Sequence, residues 1–197
     1  MPIYGESSPQ TLTGLSWTYG GGATDLVDAV SVIDGQYATC NIFDQKLVAP
    51  GLNVGIPTDD VIEGIYVRLY MTGGYACPLL RVADRLRLAV SEDGGGTWNM
   101  YKEQNFCSGM YLEFGNSTDM WGIASGTESG TIDLQIAVWI HNDSGPLEGD
   151  VRIDYWGTTI YTSSGGGGIS VPVASSDSTR YVPGVGISAP TSGRTEV

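Results

Sequence analysis

Hydrophobic residues recur at every second position in several separate segments of this chain. The most regular segment runs from Ile132 to Ile140, and the segments Arg85–Ser91 and Val151–Tyr161 follow the same period. The longer segment Ile56–Tyr70 begins with a proline turn and continues with one apolar and one mixed face. Because successive side chains of a strand point to opposite faces, this pattern predicts antiparallel strands with one buried face.

The same alternation assigns individual side chains to the core. The predicted core positions are Val61, Ile65, Val67, Leu69, Leu86, Leu88, Val90, Ile132, Leu134, Ile136, Val138, Ile140, Ile153 and Tyr155. Glu63 is an exception on the apolar face of its segment. Trp139 and Trp156 fall on the opposite register, so they either lie covered within the fold or belong to a subunit or sugar contact.

The remaining segments predict short strands and turns. We expect a strand at Thr11–Tyr19, a brief helical turn within Asp25–Ile33, and short strands at Gln36–Phe43 and Gln45–Ala49. The turn Asp93–Gly96 predicts a hairpin, because glycine tolerates a positive φ. The 29 glycines and only 16% charged residues suit many short strands. Without βαβ spacing, the predicted fold class is all-β, an antiparallel β-sandwich or jelly roll with extended N- and C-terminal arms.

The composition divides the chain into an extended lead-in at 1–10, a β-sandwich domain at 11–162 and an extended arm at 163–197. The arm starts with a Ser- and Gly-rich linker and then carries scattered apolar residues among Ser, Thr, Pro and Gly. It is too sparse to form a core, so it is either disordered or lies as an extended strand on a partner. The arm residues that we expect to contact a partner are Ile169, Val171, Val173, Tyr181 and Val182.

The chain is strongly acidic, with nine basic residues against 22 acidic ones and a formal net charge of −13. Such a charge repels phosphate backbones, so nucleic acid is not an expected partner. No apolar stretch of about 18 residues predicts a membrane span, and no secretory signal is expected. Cys40, Cys77 and Cys107 lack CxxC spacing, which favours free thiols in a reducing cytoplasm.

We expect no catalytic residue and no cofactor. The only histidine, His141, precedes a turn-like Asn-Asp-Ser-Gly string, and no Gly-x-Ser-x-Gly elbow is present. One histidine does not suit zinc, although the oxygen-rich loop at 142–150 leaves calcium open. The acidic residues considered as a glycosidase pair are Asp59, Asp60, Glu63, Glu113 and Asp119. Such pairs arise by chance in an acidic chain, and Asp59-Asp60 suits a turn after Pro57.

The string Ser91-Glu92-Asp93-Gly94-Gly95-Gly96-Thr97-Trp98 fits the pattern Ser-x-Asp-x-Gly-x-Thr-Trp. This is the Asp-box of sialidases and related propellers, in which the Asp ties down a hairpin and the Trp packs beneath it. Sialidases carry several copies, whereas this chain has one copy and no propeller period. We therefore interpret Asp93 and Trp98 as a structural motif.

Three pieces of sequence together resemble a β-sandwich module of bacteriophage virion and prophage proteins. They are the turn and strand from Ile56 to Arg68, the segment from Gly115 to Gly122, and the closing strands 132–140 and 151–161. The resemblance covers roughly residues 10–162 and implies a non-enzymatic module on capsids, tails or fibres, often trimeric. Its structural motif residues are Ile56, Pro57, Gly64, Asp119, Trp121 and Gly122.

Within that group, a compact sandwich with extended termini is similar to a capsid decoration, or cement, protein. The resemblance thus implies a homotrimer that is made in the host cytoplasm and binds the major capsid protein on the outer capsid surface of a virion. A tail or fibre accessory protein is the nearest alternative. Another is a carbohydrate-binding module, in which Trp139 and Trp156 would stack on sugar rings.

Overall fold

The computed structural model describes residues 3–52, 55–73, 84–98, 100–106, 108–142 and 150–164. These residues form β-strands and two single-turn 3₁₀ helices, at Asp28–Val30 and Ser129–Thr131. The strands are β1 (Ile3–Ser7), β2 (Thr18–Gly20), β3 (Tyr37–Cys40), β4 (Leu47–Ala49), β5 (Val61–Gly73), β6 (Asp84–Ser91), β7 (Lys102–Asn105), β8 (Met110–Gly115), β9 (Gln135–Asn142) and β10 (Val151–Ser163). Within these ranges, no helix has the length and apolar character needed to cross a membrane.

The strands form two antiparallel sheets. The six-stranded sheet has the order β2-β3-β10-β5-β8, and β1 also pairs with β10. Strand β5 follows one edge of β10, while β3 and β1 share its other edge. The four-stranded sheet has the order β4-β9-β6-β7. The prediction of an all-β antiparallel sandwich is confirmed.

The core lies between the inner faces of the two sheets. Most of the predicted core positions are fully buried there, which the regular alternation of β5, β6 and β9 explains. These confirmed residues are Ile65, Val67, Leu69, Leu86, Leu88, Val90, Leu134, Ile136, Val138, Ile140 and Ile153. Trp121, Phe106, Phe114 and Leu112 fill the same core and come from segments that the alternation did not mark.

A β-bulge in β10 corrects the predicted faces of its tryptophan and tyrosine. Ile153 pairs with Met71 and Tyr155 pairs with Tyr70, so Asp154 is an extra residue with no partner position on β5. The side chains after the bulge therefore change face. Trp156 is fully buried in the main core, and the predictions that it faces outward and contacts a partner are wrong. Tyr155, predicted to lie inside, is only half-buried.

A second irregularity explains why Glu63 interrupts the apolar face of β5. Tyr161 pairs with Gly64 and Thr162 with Ile62, so Glu63 is skipped in the pairing. As a result Ile62 enters the core, and Val61, predicted to do so, stays half-buried.

The N-terminal part of the domain differs from the sequence prediction. The expected strand at 11–19 is wrong, because Thr13 makes only an isolated bridge to Val48 and the chain then turns at Gly14–Trp17 before β2 begins. Residues Ile3–Ser7 of the extended lead-in form β1 and so belong to the larger sheet. The brief helical turn at Asp28–Val30 is confirmed.

Candidate interaction surface

The outer face of the six-stranded sheet carries tyrosine and arginine side chains in cross-strand rows. On β5 and β8 every second residue, such as Val67 and Leu112, is buried in the core, so the residues between them point away from the core. Across β10, β5 and β8 the rows are Tyr155–Tyr70–Tyr111, Gly157–Arg68–Glu113 and Thr159–Tyr66–Gly115. We call Tyr66, Arg68, Tyr70, Tyr111, Glu113 and Tyr155 the tyrosine face.

Arg68 is held at the centre of the tyrosine face. Its guanidinium carbon lies 4.0 Å from the ring centroid of Tyr111, a cation–π distance. Its Nε lies 3.7 Å from a Glu113 carboxylate oxygen. The ring of Tyr111 in turn lies 4.9 Å from that of Tyr70, tilted by 54°. Aromatic and charge contacts on two sides restrict the rotamers of Arg68, so the face is organised before any partner arrives.

Two of the four tyrosine hydroxyls of this face, those of Tyr155 and Tyr66, are hydrogen-bonded to carboxylates. The Tyr155 hydroxyl donates to Glu6 Oε1 at 2.9 Å. Burial, followed by this hydrogen bond to a carboxylate, raises the pKa of Tyr155 to about 12. Burial and a hydrogen bond to Glu113 likewise raise the pKa of Tyr66 to about 12. A Cβ at Gly157 would lie 2.3 Å from Glu6 Oε1, so a side chain there would have to displace the Glu6 carboxylate.

The outer face of the four-stranded sheet is arranged differently. Trp139 occupies the outward register, as predicted, but only 8% of it is exposed. It packs with Ala89 and Ala137, and the half-buried Val48 and Trp98 lie against them in a small second core. Trp139 is therefore covered within the protomer, and its predicted partner contact stays a prediction.

The Asp-box string brings Trp98 onto this second core. Asp93 accepts hydrogen bonds from the Thr97 N–H at 2.8 Å and from the hydroxyls of Thr97 and Ser91 at 2.7 Å each. These bonds lower the pKa of Asp93 to about 2. Gly94 and Gly95 have φ of 71° and 88°, a conformation that is unfavourable for any residue with a side chain. The string thus closes a turn that lies against the sheet.

Two pieces of the phage-type resemblance meet at one corner of the sandwich. Trp121 is buried and its Nε1 donates to the carbonyl of Ile65 at 2.9 Å, while the N–H of Ile65 donates to the carbonyl of Asp119 at 3.0 Å. Lys102 pairs with Asp119, and its Nζ lies 4.8 Å from the centroid of the Trp121 ring. This corner locks β5 to the segment after β8.

Glycines and a proline turn complete that corner. A Cβ at Gly64 would lie 2.4 Å from the backbone of Ser117, and Gly122 has a φ of 83°. After the buried Ile56, the Asp60 N–H donates to the carbonyl of Pro57 at 3.0 Å. The motif residues therefore fix the course of the backbone at these turns.

Within the described part of the chain, four of the five carboxylates considered as a glycosidase pair have structural partners, all except Asp59; Glu113 and Asp119 pair with Arg68 and Lys102. Asp60 is buried and accepts from the Thr162 hydroxyl at 3.0 Å. Glu63 accepts a hydrogen bond from the hydroxyl of Ser163, which is the last residue of β10. His141 Nδ1 lies 2.9 Å from Asp44 Oδ1. Among the described residues, no group of three or more His, Cys, Asp or Glu side chains could hold a metal ion.

Several predicted residues lie outside the described ranges. They are Ile169, Val171, Val173, Tyr181 and Val182 of the arm, Cys77, Cys107 and most of the loop considered for calcium. Cys40 is described and buried, and burial raises the pKa of its thiol.

Sequence reasoning missed the tyrosine face as a unit. The alternation Tyr66-x-Arg68-x-Tyr70 marked a mixed face, but Tyr111 and Glu113 belong to β8, which was not predicted. Their period-two spacing was the signal that could have found them.

No family model matches the sequence, and no curated protein is significantly similar to it. Solved structures with a similar fold include the CBM22-1 xylan-binding domain of Paenibacillus barcinonensis Xyn10C, at 14% identity over 82% of this chain and 96% of that domain, with a TM-score of 0.39. A Stig cyclase, Fisc, from Fischerella sp. matches at 12% identity over 68% of this chain and 67% of its own, with a TM-score of 0.39. A chain of broad bean stain virus matches at 11% identity over 87% of this chain and 91% of its own, with a TM-score of 0.34. At these values the likeness concerns β-sandwich architecture alone.

Proposed function

We propose that this chain is a non-catalytic structural protein of a bacteriophage virion, a capsid decoration protein that binds the outer face of the major capsid lattice through its tyrosine face. The observation that carries the proposal is a sheet face on which Tyr70, Tyr111 and Arg68 are held in fixed positions and stay accessible. The assignment to a phage particle rests on the sequence resemblance, two of whose pieces meet at the Trp121 corner.

The chemistry of the tyrosine face favours a protein partner. Tyrosine and arginine are enriched at the energetic centres of protein interfaces, because they bury much area with few rotatable bonds. The hydroxyls of Tyr66 and Tyr155 are already hydrogen-bonded to Glu113 and Glu6, so they are poorly placed to bind sugar hydroxyls. What the face offers is mainly ring surface and one guanidinium, which suits a flat protein contact.

Lattice binding explains how such a protein would stabilise a shell. A ligand that binds the assembled lattice, and not the free subunit, shifts the assembly equilibrium toward the lattice. The arm at 163–197 would add contacts across subunit boundaries and raise avidity without enlarging the core. Self-association of the chain would do the same by presenting several tyrosine faces at once.

The number of copies per particle distinguishes decoration from a tail position. Quantitative mass spectrometry of purified particles of the encoding phage should give hundreds of copies, in a fixed ratio to the major capsid protein. A handful of copies would replace this proposal by the tail or fibre accessory alternative.

Binding to capsids that lack this protein tests the surface itself. We expect Tyr111→Ala and Arg68→Ala to weaken capsid binding at least 10-fold, because each removes an accessible anchor. Tyr19→Ala is the matched control, since Tyr19 is 50% exposed but is not part of the tyrosine face. Equal capsid binding by Tyr111→Ala, Arg68→Ala and wild type would contradict the proposal, and glycan binding lost in Tyr111→Ala would favour a carbohydrate-binding module.

The arm is tested separately by removing residues 165–197, because Ser163 belongs to β10. We expect the truncated chain to stay folded and to bind capsids more weakly. Full retention of capsid binding would remove the arm from the mechanism and leave the tyrosine face.

A further inference from the structure

Leu15 is fully exposed at the tip of a turn that the structure holds in place, with a relative exposure of 102%. The Trp17 N–H closes the turn by donating to the carbonyl of Gly14 at 3.3 Å. Trp17 itself is buried, and its Nε1 donates to the carbonyl of Gln45 at 2.9 Å. A tryptophan anchor two residues away thus supports an apolar side chain that points into water.

Leu15 itself forms part of the wall of a widely open cleft of about 620 Å³. Leu12, Leu26 and Val48 supply its apolar lining, and Thr13 and Gln45 also line it. Thr13 and Val48 exchange backbone hydrogen bonds of 2.9 and 2.8 Å, which ties the two sides of the cleft together. An apolar knob and an apolar hole therefore lie side by side on one surface.

The same cleft is lined by two opposite charges. Asp44 contacts His141, yet 61% of its side chain is exposed. Lys46 lies two residues further on, and its Nζ is 5.2 Å from the centroid of the Trp139 ring. We call Leu15, the cleft, Asp44 and Lys46 the Leu15 patch. In a chain of net charge −13, a patch with balanced charges is a place where two copies can approach with little repulsion.

We propose that the Leu15 patch is a self-association surface, on which two copies of this chain meet about a two-fold axis. Leu15 of each copy enters the cleft of the other, and Asp44 of each faces Lys46 of the other. A surface that carries both a knob and its hole is self-complementary, which is the requirement of an isologous contact. Charge complementarity follows from the same rotation, because the patch holds one acid and one base.

The patch continues into further apolar surface. Val48, which lines the cleft, also packs against the second core around Trp139. Tyr101 contacts Trp139 edge-on at 6.4 Å and, like its neighbour Met100, is exposed. This continuity matters because a stable interface buries about 1,000 Å² or more in total, which one leucine cannot supply.

Sedimentation equilibrium of the full chain over a wide concentration range tests this proposal. We expect the mass to rise from 20.8 kDa toward twice that value. Leu15→Ser should weaken the association at least 10-fold and leave the fold intact, because Leu15 makes no core contact. Val32→Ser is the matched control, since Val32 is 59% exposed but does not line the cleft.

Charge reversal sharpens the test. Asp44→Lys and Lys46→Asp should each weaken the association, whereas the double variant restores it, because a two-fold axis pairs each position with the other. A chain that stays monomeric, a trimer, or an association that Leu15→Ser leaves unchanged would overturn the proposal. Since Leu15 lies apart from the tyrosine face, a Leu15→Ser monomer that still binds capsids leaves the proposed function standing.

Discussion

The outer face of each sheet carries an arginine guanidinium stacked on a tyrosine ring, but the residues around the two pairs differ. On the six-stranded sheet the Arg68 guanidinium lies 4.0 Å from the Tyr111 ring centroid, and on the four-stranded sheet that of Arg87 lies 4.3 Å from Tyr101. Around Tyr111 the neighbouring side chains are other tyrosines with partly exposed rings. Near Tyr101, the turn after β6 folds Trp98 against a nearly buried Trp139.

The difference shows what decides the role of an outward aromatic residue. A ring on the outer face of a sheet becomes part of the core when a connecting loop covers it, and it stays accessible when none does. The glycine-rich turn at 93–96 provides that cover on the four-stranded sheet. Outward register alone therefore does not make a side chain accessible, as the 8% exposure of Trp139 shows.

We expect the largest difference between the two faces when an aromatic side chain is removed from each. Trp139→Ala should lower the free energy of unfolding by about 3 kcal/mol, because it empties the second core. Tyr111→Ala should lower it by only about 1 kcal/mol, since Tyr111 is 42% exposed and loses mainly its contacts with Tyr70 and Arg68. Chemical denaturation of both variants measures this, and equal losses would show that the two faces are built alike.

Asp154 tests the region where a loop does cover the six-stranded sheet. Its buried carboxylate accepts the N–H groups of Asp34 and Gly35, each at 3.2 Å. Asp154→Ala should cost about 1–3 kcal/mol of stability, because two donors lose their acceptor. Asp154→Asn keeps one acceptor oxygen and should cost less in the same denaturation experiment; the reverse order would exclude this explanation.

The tyrosine face should also be visible in alkaline titration. Tyr66 and Tyr155 have pKa values raised to about 12, so both keep their protons in the folded state when unfolded tyrosine ionises near pH 10. Their contribution to stability is therefore complete below pH 10 and is lost as the pH rises toward 12. Tyrosinate absorbance measures the two late ionisations. Glu6→Gln should lower the pKa of Tyr155, which loses its hydrogen-bonded carboxylate, more than that of Tyr66, for which the charge of Glu6 is a minor cause. Both pKa values should stay raised, because burial remains.

The smallest effect concerns the turn that covers the other sheet. The pKa of Asp93 is lowered to about 2, so its contribution to stability is present above pH 4 and is lost as the pH falls toward 2. Asp93→Asn should flatten the dependence of stability on pH in that window. An unchanged acid profile would mean that the Asp93 hydrogen bonds do not stabilise the turn.

The sequence was sufficient to predict strands and their buried faces where apolar and polar residues alternate without interruption. Strands β5, β6 and β9 were predicted with most of their core residues, because each has a run of aliphatic residues at period two. Strand β10 was predicted, but not its bulge, since the string Ile153-Asp154-Tyr155-Trp156 permits either face for its aromatic residues. Only the pairing with β5 decides between them.

The two candidate surfaces were harder to predict from the sequence, because each combines residues from segments that are far apart along the chain. The tyrosine face combines β5 with β8 and β10, and β8 is short and partly polar. The Leu15 patch lies where an expected strand proved to be a turn. Both depend on neighbours across the sheet or between loops, which periodicity along one segment does not encode.

Strand β10 lies late in the chain and at the middle of its sheet, and it pairs with β1 through Ile3 and Tyr161. During synthesis on a ribosome, strands β1, β3 and β5 therefore leave the ribosome before β10, the strand with which they pair. Such long sequence separations slow folding. The domain would then reach its native form only after nearly the whole sandwich has been translated.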